Sequence, residues 1–128
     1  MLVNLTPHPI RVFSRDTPDV VGDEAEPAYV LPPATAGTPP ARVGEIYLGD
    51  QSLPGVPVPV AYVEYRAATG LPSYSEPHAQ VYERTWYVVS LALALHLAGR
   101  RCDLLVPFDE VRNETGTVVG CRALALPV

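Results

Sequence analysis

The stretch Trp86-Tyr87-Val88-Val89-Ser90-Leu91-Ala92-Leu93-Ala94-Leu95-His96-Leu97-Ala98-Gly99, with Arg100 to Pro107 directly behind it, decides how this chain folds. Trp86 to Val89 is aromatic and β-branched, the residue set of a strand. Ser90 is a favourable N-cap, Leu91 to Ala98 is rich in helix formers, and Gly99 is a good stop. The pattern predicts one helix over about residues 90–98, nearly all of it buried. Cys102 to Val106 then returns as a strand ended by Pro107. Beyond it, Val111-Arg112 and Val118 to Ala125 flank Asn113-Glu114-Thr115-Gly116, which predicts a hairpin with Gly116 as its left-handed residue.

Toward the N-terminus the signals shorten, because most of the 15 prolines lie there and each removes a backbone donor. Leu2 to Leu5 and Ile10 to Phe13 read as two short strands around a turn carrying Pro7 and Pro9. Residues 14–27 read as an acidic, exposed loop, Tyr29-Val30-Leu31 as a short strand, and Pro32 to Pro40 as a stiff extended connector. Ala41 to Leu48 alternates as a strand, and Val56 to Tyr65 as another with an edge at its proline end. Gly70 to Glu83 is expected to be loop, with Tyr74 and Tyr82 offering an adaptable surface. No repeat or low-complexity linker divides the chain. The expected class is α+β: one domain over residues 1–128, a mostly antiparallel β-sheet with one principal α-helix and a C-terminal β-hairpin.

Composition narrows the function classes. With 48% hydrophobic and 18% charged residues the chain is able to bury a core. Its longest apolar run, Val88 to Leu97, is too short to span a bilayer, and Met1 to Pro7 lacks the basic start and apolar run of a secretory signal. A cytoplasmic protein with no membrane partner is the expectation. A net charge of -5 argues against double-stranded nucleic acid as a partner. Every one of the 9 basic residues is Arg, which fits a GC-rich genome as well as it fits planar anion recognition. Asn113-Glu114-Thr115 matches a glycosylation acceptor only in form, since that reading requires export.

The search for chemistry finds no phosphate loop, dinucleotide fingerprint, nucleophile elbow or His-Glu-x-x-His helix. His8, His78 and His96 stand far apart, in a proline turn, a polar loop and an apolar helix; the His8 side chain is expected to tie down the first turn with Thr6, and His96 to be core or partner-facing. Cys102 and Cys121 are expected to be buried or half-buried thiols, and neither metal nor cofactor is called for. Asp103, Asp109 and Glu110 are read as charge partners of Arg100, Arg101 and Arg112 rather than as an acid/base pair. The start of the Ser90 helix is the candidate site: free amides there attract phosphate, Trp86 and Tyr87 offer faces on which a base can stack, and one or two Arg would complete a nucleotide pocket. The alternative is an ordinary capped helix with Trp86 and Tyr87 serving packing.

Taken together, Asn4-Leu5-Thr6-Pro7-His8, Gly70-Leu71-Pro72, Tyr87-Val88-Val89-Ser90, Arg101 to Pro107, Val111-Arg112, Gly116 and Gly120-Cys121-Arg122-Ala123-Leu124 resemble a small family common in phage and prophage genomes. That pattern is similar to the phage Thoeris anti-defence proteins called sponges, which bind a cyclic ADP-ribose immune signal without cleaving it. The resemblance implies a non-enzymatic homo-oligomer in the host cytoplasm with nucleotide pockets between subunits. By residue type and location, Tyr87, Ser90, Arg101, Arg112 and Arg122 are then the candidates for stacking and phosphate contacts. Two departures leave the ligand open: Ser73 to Thr85 is longer than the family's link, and Pro107 to Glu110 is shorter than its Pro/Gly-rich passage. The alternative is a structural or protein-interaction component of a phage or mobile element, docking through its proline-rich segments and the Tyr74/Tyr82 loop. A nucleotide-directed enzyme is the third class.

Overall fold

The computed structural model describes residues 1–34, 41–72, 74 and 85–128. Its elements in chain order are β1 (Leu2–Asn4), β2 (Ile10–Val12), β3 (Val20–Val21), β4 (Tyr29–Leu31), β5 (Arg42–Gln51), β6 (Val60–Thr69), β7 (Trp86–Val88), α1 (Leu91–His96), β8 (Leu104–Asn113) and β9 (Val118–Ala125). Seven strands form one sheet in the order β1-β7-β8-β9-β2-β4, with β3 further along the same edge of β8 that pairs with β7, while among the described residues β5 and β6 pair with each other alone. No helix among the described residues is long and apolar enough to cross a membrane.

The described residues are mostly β with one short helix, but their larger sheet is mixed rather than mostly antiparallel. β1–β7, β7–β8, β2–β9 and β3–β8 are parallel pairs, and only β8–β9 and β2–β4 within this sheet are antiparallel. The helix accounts for one of these parallel pairs, β7–β8. A strand that leaves the sheet through a helix re-enters in its original direction, so β7-α1-β8 is a parallel crossover unit. Both faces of that unit are covered. Val89, Leu93, Ala94, Leu104 and Val106 pack with Leu5 and Ala41 on the helix side, whereas Val88 packs with Ile10, Leu31 and Cys121 on the other. Phe13, Val21 and Val111 close a third cluster where β3 meets β8.

The helix is shorter than expected and mostly exposed. Ser90 caps it as predicted, its hydroxyl accepting from the Leu93 N–H at 3.3 Å. Only Leu93 and Ala94 are buried; Leu91 and Leu95 are 57% and 59% exposed, because a single helix on one sheet face presents only one stripe to it.

Three other segments depart from the expectation. The strand entering at Leu104 runs through Pro107 to Asn113. Between its β7 partners, Leu104 and Leu105, and its β3 partners, Arg112 and Asn113, one side of β8 has no ladder neighbour among the described residues, and a residue without a donor is tolerated there. The acidic loop contains β3, held by the Arg112 N–H donating to the Asp19 carbonyl at 2.8 Å, with Val21 buried. β6 begins at Val60, so Pro57 and Pro59 lie in its connection to β5 rather than on its edge, and it continues past Tyr65 to Thr69. The first two strands form where expected, β1 pairing with β7 and β2 with β4 and β9. The Tyr82 surface, His78 and most of the Pro32–Pro40 connector fall outside the described residues.

The first turn is built around Asn4, which is 1% exposed. Its Oδ1 accepts from the Thr6 N–H (2.9 Å) and hydroxyl (2.6 Å), and its Nδ2 donates to the carbonyls of His8 (2.8 Å) and Leu31 (3.2 Å). The tie expected of the His8 side chain is made instead by the His8 backbone carbonyl, which also accepts from the Thr6 hydroxyl. The final hairpin repeats the device: Asn113 Oδ1 accepts from the Thr115 N–H and hydroxyl and from the Thr117 N–H. Gly116, with φ of 86°, takes the left-handed position as expected. Gly120 is required for space, since a Cβ there would lie 2.5 Å from the Arg11 carbonyl oxygen and from the Phe13 ring.

Candidate functional site

The β5–β6 hairpin leans on α1 at its root, where Ala41, Val43 and Ala68 pack against the helix-side core, and its remainder projects outward. The angle between arm and helix leaves an open groove of about 1000 Å³. Pro7, Ala92 and Leu95 give it apolar walls, and Arg42, Glu45, Tyr65, Ser90 and His96 give it polar and aromatic groups. Among the described residues Arg42 has no carboxylate within ion-pair distance. A guanidinium, an aromatic ring and an imidazole lining one groove suit an anionic ligand with a planar ring.

Of the residues singled out in the sequence, Ser90 lines this groove, and Tyr87, Arg101, Arg112 and Arg122 do not. The helix offers little to a phosphate, since it has six residues and Ser90 already holds the Leu93 amide. Tyr87 and Arg101 do come together. The Arg101 guanidinium sits 5.9 Å from the Tyr87 ring centre and 5.2 Å from that of Tyr74, donates twice to Asp103 (2.8 and 2.7 Å) and once to the Pro72 carbonyl (2.7 Å). Both members of this ion pair are more than nine-tenths buried, and hydrogen bonding to Asp103 raises the Arg101 pKa. The Tyr74 hydroxyl lies 3.0 Å from Cys102 Sγ at the same place. This cluster pins the chain around Pro72 to the sheet.

Arg122 is equally enclosed. It donates to both carboxylate oxygens of Asp109 (3.0 and 2.7 Å), to Asp19, and to the Thr17 carbonyl (2.7 Å), so it ties the segment before β3 to the β8–β9 hairpin. Asp109 takes a φ of 65° to face it, a conformation that Asp tolerates better than most residues. The Arg122 guanidinium in turn holds the Asp109 carboxyl below its usual value. Arg112 is half exposed and bound to Glu110 (2.7 Å) and to the Gly116 carbonyl (2.8 Å). Val89 donates to the Leu105 carbonyl, and Arg112 lies seven residues further along β8. At about 3.3 Å per residue that places it roughly 20 Å from Ser90.

The charge pairing expected of the β8 carboxylates is present for Asp103–Arg101 and Glu110–Arg112, while Asp109 pairs with Arg122 instead. Cys121 is buried, which pushes its thiol pKa up, and Cys102 is half-buried; neither is in a disulfide. His96, expected to face the core or a partner, is exposed on the groove. Sequence reading missed Arg42, Glu45 and Tyr65. No local motif marks them, because the groove forms only when β5, β6 and α1 meet. No group of His, Cys, Asp and Glu suited to a metal occurs among the described residues. No protein-family model, curated protein or solved structure matches the chain.

Proposed function

We propose that this chain is a non-catalytic binding protein that sequesters a small cyclic nucleotide-like immune signal, a cyclic ADP-ribose isomer, and so blocks host anti-phage defence, working as a homo-oligomer. The observation that carries the reading is the groove between α1 and the β5–β6 arm, which combines Arg42, Tyr65 and His96 in a volume of about 1000 Å³. A space of that size accommodates a dinucleotide-like ligand. Arg42 supplies a charge for a phosphate and Tyr65 a face for a base. The binding role thus moves from Arg101, Arg112 and Arg122, whose guanidinium groups are taken by carboxylates, to residues of the arm.

The test is thermal stability against cyclic ADP-ribose isomers, cyclic dinucleotides and linear nucleotides, followed by chromatography of what the heated protein releases. Binding to the folded state raises the melting temperature by mass action. A rise with intact ligand recovered is the expected result. Recovery of a converted product would turn the reading to an enzyme in which His96 and Glu45 are the acid/base candidates.

A second reading is favoured by a different observation. Tyr47, Leu48 and Val58 on the arm are each more than 60% exposed, an apolar display suited to a protein partner in a phage or mobile-element assembly. Absence of any thermal shift across the panel would support that reading.

A further inference from the structure

We infer that the arm is an assembly element, and that two copies of this chain join by antiparallel pairing of β6 with β6 about a two-fold axis at Tyr65. A two-stranded ribbon is marginal in water, yet here both strands run for ten residues, and only the root of the ribbon packs on the core. Its outer edges carry backbone groups without a ladder partner among the described residues. Such edges are templates for another strand.

The two edges are not equivalent. The register shift between Tyr47 and Gly49 leaves Leu48 as an extra residue in the middle of β5, a bulge that interrupts the edge. β6 is bulged only at Ala67, where the partner of Val43 is Ala68 and that of Gly44 is Arg66, so Val60 to Arg66 is a regular edge. Charge then selects the register. Pairing centred on Tyr65 sets Glu64 of each copy opposite Arg66 of the other, twice over, on one face of the joined sheet. Within one copy Glu64 and Arg66 are only 3.6 Å apart and both stay half exposed, at 51% and 61%, available to a facing strand. Oppositely charged pairs directly across an antiparallel ladder stabilise it, and like charges there destabilise it. Tyr65 is 62% exposed and lies on the opposite face from that charged pair, the face of the groove. The two-fold therefore brings the grooves of both copies side by side. This gives the homo-oligomer of the proposed function an interface, but it stands on the arm alone, and its test contains no nucleotide.

The experiment is sedimentation of the full chain, wild type and charge-reversed. Wild type is expected as a dimer, and Glu64→Arg and Arg66→Glu each as a folded monomer by circular dichroism. An equimolar mixture of these two variants is expected as a heterodimer, because one variant is positive at both positions, the other is negative at both, and opposite charges again face each other across the axis. In a second measurement, Tyr65→Cys should form a disulfide-linked dimer under mild oxidation, since residues opposite each other on a two-fold antiparallel pair have Cα atoms about 4.5–5.5 Å apart. A wild type that stays monomeric, single variants that dimerise as wild type does, or a mixture that does not associate would each overturn the inference.

Discussion

The seven-stranded sheet and the β5–β6 arm treat the same residue types in opposite ways. In the sheet, Arg101 and Arg122 are more than nine-tenths buried and donate to carboxylates and backbone carbonyls. On the arm, Arg66 and Tyr65 are 61% and 62% exposed, and Arg42 opens on a groove. A buried charge is destabilising unless it is paired, so Arg101 and Arg122 are bound to their partners and serve the fold. A solvated charge contributes little to folding and is free to meet something else. Under the proposed function, chemistry toward outside molecules is therefore assigned to the arm and the groove beside it.

The contrast is broken most severely by Asn4→Asp. The substitution replaces the two donors that satisfy the His8 and Leu31 carbonyls with a buried carboxylate, and a loss of about 4 kcal/mol in stability is expected by denaturant titration. Arg101→Ala leaves Asp103 buried and unpaired, for an expected loss of about 3 kcal/mol. Acid should act next on the Asp109–Arg122 link. Because the Asp109 pKa is lower in the folded chain than in the unfolded one, its stabilisation is complete above about pH 4 and is lost as pH falls through the folded value. The melting temperature of wild type should thus fall more steeply below pH 4 than that of Asp109→Asn, and parallel curves would remove this group from the acid response. Arg112→Ala, at a half-exposed pair, should change stability by less than about 0.5 kcal/mol. A large effect there would erase the distinction between enclosed and solvated arginines.

The positions of most sheet strands were legible in the sequence, because β-branched runs bounded by Pro and Gly have few other readings, but β3, two residues inside a stretch read as acidic loop, was not. Strand direction was legible too, but by a different sign. Val88-Val89 and Leu104-Leu105-Val106 are apolar at every position rather than alternate ones, which marks strands covered on both faces and hence a parallel unit. Reading them only as strands led to the antiparallel expectation. The ion pairs at sequence neighbours, Asp103–Arg101 and Glu110–Arg112, followed from adjacency. Arg122 reaching Asp19 across 103 positions did not, since only the folded sheet brings β3 beside β8. The groove was hidden for the same reason: Arg42, Tyr65 and His96 come from three elements, and none has a partner at a telling spacing.

The most direct test of arm against sheet is the ligand-induced rise in melting temperature measured side by side for wild type, Arg42→Ala and Arg112→Ala with the same nucleotide panel. A rise in wild type that persists in Arg112→Ala and disappears in Arg42→Ala is the predicted result. A rise that survives in Arg42→Ala and is lost in Arg112→Ala would return the binding site to the sheet and contradict the account.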